Sequence, residues 1–308
     1  MGKSSSINNE QRLSSTGVLL SKMETSLNIS WNNISKKTFI NDYWQKRPVV
    51  LKNALPAFDE LTDENELAGL AMEEFVDSRI VEQKPDDSWH VEHGPFNDYS
   101  KWQQGKWTLL VQGVDQYLPN VASLLSIVEF LPAWRIEDIM VSFSMPGAGV
   151  GLHLDQYDVF IVQGKGKRRW QAGKVDREQC QEETSLDLLQ LRDPQSFEPL
   201  VDEILEPGDI IYIPPFSAHK GETTQAAINY SIGFRAPSQQ ELLSDLADYA
   251  IDNELGLKRF TGAVEYSENN EVEFLPKQDL DGLRHLLLEL VQDKDTFEKF
   301  CHERYLNK

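Results

Sequence analysis

The stretch GVGLHLDQYDVFIVQGKGKRRW, residues 149–170, sets a histidine and an aspartate two positions apart, His153 and Asp155, ahead of an apolar run and a basic cluster. On an extended strand such a pair points to one face, with Cα atoms roughly 6–7 Å apart, so imidazole and carboxylate can converge on one ion. A third ligand is offered by EPGDIIYIPPFSAHKGE, where a tight Pro-Gly-Asp turn, an apolar strand and a Pro-Pro break precede His219. A strand ended by prolines is expected to release His219 at a barrel mouth, beyond the backbone pairing. Two histidines and one carboxylate form the facial set of non-haem Fe(II) sites, which leaves positions open for a chelating co-substrate and O2. Zinc accepts the same ligands, usually with a water.

The surroundings favour iron with a 2-oxo acid. Such an acid chelates through its keto group and adjacent carboxylate, leaving a distal carboxylate that is costly to bury unpaired. An arginine fork with a hydroxyl beside it satisfies that group. Arg168 stands in the hairpin strand after the ligand strand, whereas Lys165 and Lys167 read as solvated turn residues. In IMVSFSM, Ser142 and Ser144 share one face while Val141, Phe143 and Met145 share the other, and Asn229 and Ser231 repeat the pattern in AINYSIGF. Two strands that turn small polar groups inward and large apolar groups outward suit a barrel holding a polar ligand.

The elements that must position these groups follow from punctuation and period. From Trp31, SKKTFINDYWQKRP reads as a capped helix stopped by Pro48, followed by a strand VVLKNAL. TDENELAGLAMEEF reads as a helix capped by Thr62 with an acidic first turn. SRIVEQ, WHVEHGPF and WTLLVQG read as strands, and DQYLPNVASLLSIVEFL as helical on either side of a break at Pro119. A denser β region follows, its strands separated by Gly/Pro turns, at a spacing that suggests a barrel or sandwich. A polar insertion over residues 174–197 is expected to carry a helical core, SLDLLQL. After Pro237 the leucine-rich segments are helix-periodic and need a surface to pack against. His90 and His93, three apart on a strand, face opposite sides, and His285 and His302 fall in helical segments, so none of them extends the metal set.

The chain has 308 residues, ample for a real core, and its two cysteines, Cys180 and Cys301, are too few for a disulfide framework, which fits a reducing, cytoplasmic setting. No apolar run approaches the roughly 20 residues of a membrane span. Residues 1–30 read as a disordered leader. A formal net charge of −20 disfavours direct nucleic-acid binding and favours a basic protein partner.

At these residues the chain resembles the cupin superfamily: PGAGVGLHLD is similar to its first motif, and GDIIYIPPFSAH to its second, with Phe216 replacing a usual glycine. More closely it resembles the JmjC-type 2-oxoglutarate oxygenases, and within those the bacterial ribosomal oxygenases. The stretches that carry the likeness include WQKRPVVLKNA, ELAGLAMEEFVDSR, HGPF, LEPGDIIYIPP and NYSIGFRAP.

The resemblance implies a mainly β fold with α, a JmjC/cupin double-stranded β-helix over residues 31–237 with flanking helices. It makes residues 238–308 a helical region for homodimerisation, and the family's further winged-helix region has no counterpart in these residues. It implies Fe(II) on His153, Asp155 and His219; 2-oxoglutarate on Arg168 and Ser144, with Ser142 and Asn229 as neighbours; and O2 as co-substrate, with ascorbate as an auxiliary reductant. The activity implied is hydroxylation of an arginine in a basic large-subunit ribosomal protein. Tyr157, which shares parity with His153 and Asp155 on a regular strand, is expected to face the guanidinium. The alternatives are a histidine target, a zinc or manganese cupin with isomerase or hydrolase chemistry, and a non-catalytic module that keeps its ion as a staple.

Overall fold

The computed structural model describes residues 27–32, 34–176, 181–183, 189–192, 197–262 and 275–306. These fall into two units, one running to Ala236 and a helical one from Pro237.

The first unit opens with helix α1 (Lys36–Asp42), capped by Ser35, whose hydroxyl accepts the Thr38 N–H. It ends well before Pro48, earlier than the sequence suggests. Strand β1 (Val49–Leu51) and helix α2 (Glu64–Leu70) follow. The cap of α2 is Asp63, not the expected Thr62: the Asp63 carboxylate accepts the N–H groups of Asn65 and Glu66, satisfying two orphan donors where a hydroxyl serves one. Thr62 instead donates to the Glu66 carboxylate at 2.7 Å. Then come β2 (Ser78–Gln83), β3 (Trp89–His93), β4 (Lys106–Val111) and the one-turn helix α3 (Pro119–Ala122), which Pro119 begins, as its fixed φ allows.

The remaining strands build the site: β5 (Ile136–Ser144), β6 (His153–Leu154), β7 (Asp158–Gln163), β8 (Lys167–Lys174), β9 (Gln181–Glu183), β10 (Leu189–Arg192), β11 (Glu198–Leu205), β12 (Ile210–Ile213), β13 (Ala218–Gln225) and β14 (Ala227–Phe234). They form an eight-stranded sheet in the order β1-β12-β7-β14-β5-β4-β2-β3 and a six-stranded sheet in the order β11-β8-β13-β6-β10-β9. Every pairing is antiparallel, as a double-stranded β-helix requires. The turn from β7 to β8 needs Gly166, at φ +80 with a would-be Cβ only 2.0 Å from the Ala226 carbonyl oxygen.

The outer face of the larger sheet carries the main core. Ile139, Val141, Phe160, Tyr212, Ile228, Tyr230 and Phe234 pack there against Phe39, Leu67 and Leu124. A second cluster between the sheets, Val159, Ile161, Trp170, Ala172, Leu205, Ile211 and Ile213, plugs one end of the interior.

Several expectations change here. Leu27 and Ile29 pack against the main core, and the Leu27 N–H donates to Ser126 Oγ, so the ordered unit starts before Trp31. The rest of the leader, residues 1–26, lies outside the described residues, as does Cys180. In SLDLLQL, residues 185–188 are also outside them, but Leu189–Arg192 is strand β10, pairing with β6 rather than forming a helix. Alternation of leucine with Gln190 fits both periods, and the open edge beside β6 decides for the strand.

In the second unit, α4 (Gln239–Asp252) starts with a Ser238/Glu241 capping box, and α5 (Lys277–Gln292) and α6 (Lys294–Cys301) are separated at Asp293. No helix among the described residues is long and apolar enough to cross a membrane.

Candidate metal and co-substrate site

His153 stands on β6 and His219 on β13, and the two are Cα partners across the strands. His219 is therefore inside a paired strand, opposite Ala172 of β8 as well, and not beyond the end of pairing as the prolines suggested. The strand β6 stops after Leu154, so Asp155 lies just before the bend that leads to β7. The Asp155 carbonyl accepts the Phe216 N–H at 2.7 Å, which ties this bend to the loop before β13.

Each imidazole is oriented from behind. His153 Nδ1 lies 3.1 Å from the Gly151 carbonyl oxygen and His219 Nδ1 2.9 Å from that of Ser217. A carbonyl only accepts, so the ring hydrogens belong on Nδ1 and both Nε2 lone pairs turn inward. There they meet the carboxylate: Asp155 Oδ1 is 4.0 Å from His153 Nε2 and Asp155 Oδ2 is 3.4 Å from His219 Nε2. All three ligand atoms lie within 4.8 Å of one another, and the described residues contain no other such group. Electron pairs aimed at one point with no hydrogen to share repel each other unless a cation sits between them, so the donor set fits a divalent metal. Burial, then the neighbouring His219, pushes the His153 imidazole down to about 4, the neutral form a metal needs. Burial opposes charge on Asp155, but the His219 imidazole and the fields of His153 and Arg79 outweigh it and hold its carboxyl below the ordinary range.

The other end of the cavity is basic. Of the four clustered cations only Arg168 is buried, at 3% exposure. Lys165, in the turn before β8, pairs with Glu64, while Lys167 pairs with Glu206 and Arg169 with Asp202 on the surface, as the alternation of β8 dictates. The Arg168 guanidinium lies 4.9 Å from the Trp170 ring centroid; its Nη1 donates to Asn229 Oδ1 and its Nη2 to the Gly221 carbonyl, both at 3.3 Å. Its Nε has no partner, and no described carboxylate neutralises it. Burial pushes the guanidinium down to about 10, so it stays charged at neutral pH.

Ser142, Ser144 and Asn229 are buried on the same inward faces, with Asn229 opposite Ser142 across the β5–β14 pair. Ser231 is half-buried nearer the strand end. The sequence reading missed three groups that complete this wall. Thr108 donates to Ser144 Oγ at 3.0 Å, Gln163 Oε1 accepts from Asn229 Nδ2 at 2.8 Å, and Asp138 continues the face of Met140, Ser142 and Ser144 towards the mouth. Of the three, only Thr108 stood out in the sequence, as a lone polar residue within the apolar run WTLLV.

Tyr157 is 41% exposed. It does not share a regular strand with the ligands, since the chain bends at 156–157. It is nevertheless close enough to Asp155 for that carboxylate, with burial, to push its phenol above the ordinary value, and Asp138 adds to the effect. His90 and His93 are exposed on edge strand β3 and take no part.

Comparison with known proteins adds the following. A family model described as JmjC domain matches residues 123–242. The chain is 46% identical over 283 residues to the ribosomal protein uL16 3-hydroxylase of Escherichia coli, covering 91% of this chain and 72% of that one. It is 33% identical over 274 residues to a probable ribosomal oxygenase of Haemophilus influenzae, covering 86% of this chain and 66% of that one. Among solved structures it resembles the E. coli ribosomal oxygenase YcfD in complex with cobalt and 2-oxoglutarate, with TM-score 0.78 and 43% identity over 90% of this chain and 72% of that chain.

Proposed function

The chain belongs to the JmjC-domain ribosomal oxygenases, and on that premise we propose that it is a 2-oxoglutarate- and Fe(II)-dependent hydroxylase of an arginine side chain in a large-subunit ribosomal protein. One observation carries the reading: a converging His153–Asp155–His219 set shares its cavity with a buried arginine that has no carboxylate partner among the described residues. A metal site alone does not need Arg168. A dicarboxylic co-substrate needs both ends.

Bound there, ferrous iron with 2-oxoglutarate and O2 supplies the oxidising power to hydroxylate an unactivated C–H bond, releasing succinate and CO2. The protein's part is positioning. The Gly151 and Ser217 carbonyls fix the two imidazoles with Nε2 inward, so the ligand set is formed in advance. Arg168, held by Asn229, Gly221 and the Trp170 face, presents its remaining donor capacity to a carboxylate, and Ser144 lies on the adjacent strand wall. Ser142 and Asn229 line the space between. The apolar plug behind Trp170 and Ile213 keeps water from that end.

At the mouth, Tyr157 offers an aromatic face and Asp138 a carboxylate that burial pushes above the usual range, although Gln112 donates to both of its oxygens at 3.0 and 2.8 Å. An acid that folding leaves under-compensated, beside an exposed ring, suits a guanidinium better than a neutral imidazole. The net charge of −20 draws a basic protein towards the surface. A ribosomal substrate implies action in the cytoplasm. The segment 238–308 is assigned to self-association, because Leu280, Leu283, Leu287 and Val291 form one stripe of α5 and remain 41–70% exposed in the single chain.

The test is succinate formation from 2-oxoglutarate with Fe(II), with and without peptides from large-subunit ribosomal proteins, followed by fragment mass spectrometry. One added oxygen on an arginine is expected. Oxygen on histidine would replace the target residue, and no succinate at saturating iron would overturn the enzymatic reading.

A further inference from the structure

Strand β13 points His219, Gly221 and Thr223 to the same face, into the cavity. Thr223 is the direct Cα partner of Arg168 on β8, and side chains so placed on one face of an antiparallel pair are in contact range, about 5 Å between Cβ atoms. Between Arg168 and His219 the wall is held thin by Gly221, where a Cβ would come 2.5 Å from Arg168 Nε and 3.0 Å from Trp170 Cζ2. Thr223 thus borders the guanidinium with nothing but hydrogen at the neighbouring inward position.

Thr223 is 1% exposed, and its backbone is fully used: its N–H donates to the Ala148 carbonyl at 2.9 Å and its carbonyl accepts the Gly147 N–H at 2.7 Å. Its hydroxyl has no partner among the described residues, and neither has the Nε of Arg168, its cross-strand partner. Other polar groups of this wall each have a partner: Thr108 donates to Ser144, Asn229 to Gln163, and Arg168 Nη1 to Asn229. A buried hydroxyl left unpaired is unfavourable, whereas valine would fill the same volume without that cost. Two adjacent unsatisfied donors, one of them cationic, describe a seat for an anionic acceptor.

We propose that Thr223 is a co-substrate-binding residue whose hydroxyl donates to the distal carboxylate of 2-oxoglutarate alongside Arg168. This rests on the functional reading above and refines it. The sequence assigned the hydroxyl role to Ser144, which accepts from Thr108 and keeps its own O–H to donate; Thr223 adds a second hydroxyl, with no partner among the described residues. The role is specific to the distal carboxylate and leaves the metal-chelating end untouched.

The experiment is anaerobic calorimetry on the full Mn(II)-loaded chain. The ligands are 2-oxoglutarate, succinate and 2-oxopentanoate, in which a methyl group replaces the distal carboxylate. Thr223→Val should raise the Kd for 2-oxoglutarate and for succinate about tenfold, equivalent to ~1.4 kcal/mol, and leave that for 2-oxopentanoate within about twofold. Thr223→Ser, which keeps the hydroxyl, should restore most of the affinity. Equal weakening of all three ligands, or none, would overturn the proposal, and so would wild-type-like 2-oxoglutarate binding by Thr223→Val when Arg168→Met binds weakly. Failure of the wild-type chain to bind 2-oxoglutarate would overturn the functional reading, and this proposal with it.

Discussion

Replacing Gly221 by alanine tests the co-substrate anchor without touching a charged group. The new methyl carbon would lie 2.5 Å from Arg168 Nε, 3.1 Å from its Cζ and 3.0 Å from Trp170 Cζ2. Unstrained contacts of this kind need about 3.5 Å, so the guanidinium must retreat by about 1 Å. It has little room, because Trp170 lies 4.9 Å away on one side and Asn229 holds Nη1 at 3.3 Å. Overpacking of this sort costs about 1–3 kcal/mol of stability. A shift of that size also breaks the alignment of a charged hydrogen bond, about 1.5–3 kcal/mol, or roughly ten- to hundredfold in 2-oxoglutarate affinity. The assay is the KM for 2-oxoglutarate in uncoupled succinate formation, together with a Co(II) titration and a thermal melt. Metal affinity should hold, since His219 is fixed by the Ser217 carbonyl rather than by Arg168. Unchanged KM in a protein of native melting temperature would refute the placement of Arg168 as the anchor.

Loss of any one of His153, Asp155 or His219 to alanine should lower Co(II) affinity by more than about tenfold, read from the visible spectrum of the bound ion. Tyr157→Ala should raise the peptide KM severalfold while uncoupled turnover of 2-oxoglutarate stays at the wild-type rate; an unaltered peptide KM would remove Tyr157 from the substrate site. Leu287→Asp, on the exposed stripe of α5, should convert a dimer to a monomer in light scattering after size exclusion, with no change in the melting of the β unit.

The metal ligands were legible because the chemistry demands a fixed order of residue types: His-x-Asp beside a glycine turn, then a histidine after a Pro-Pro break. Arg168 was separable from Lys165 and Lys167 by its place in the hairpin strand rather than its turn, and the surface ion pairs of those two lysines agree. Strand β13 was not legible. Its outward residues Lys220, Glu222 and Thr224 are polar, and its inward ones, His219, Gly221 and Thr223, are given over to the site, so the usual apolar alternation is missing. The same gap hid Thr223, which no sequence pattern marks as buried. The α2 cap was expected at Thr62, and the two N–H groups that the Asp63 carboxylate accepts place it one residue later.

The sequence by itself determined the donor types and their order, and for Arg168, Ser142, Ser144 and Asn229 the strand face each takes, because covalent spacing and the two-residue period of a strand are local properties. Only the tertiary structure decided that His153 and His219 are cross-strand partners, that Asp155 lies past the end of its strand, and that the Arg168 Nε and the Thr223 hydroxyl have no partner among the described residues. Those outcomes depend on register between strands far apart in the chain, and on which polar groups find each other once water is excluded.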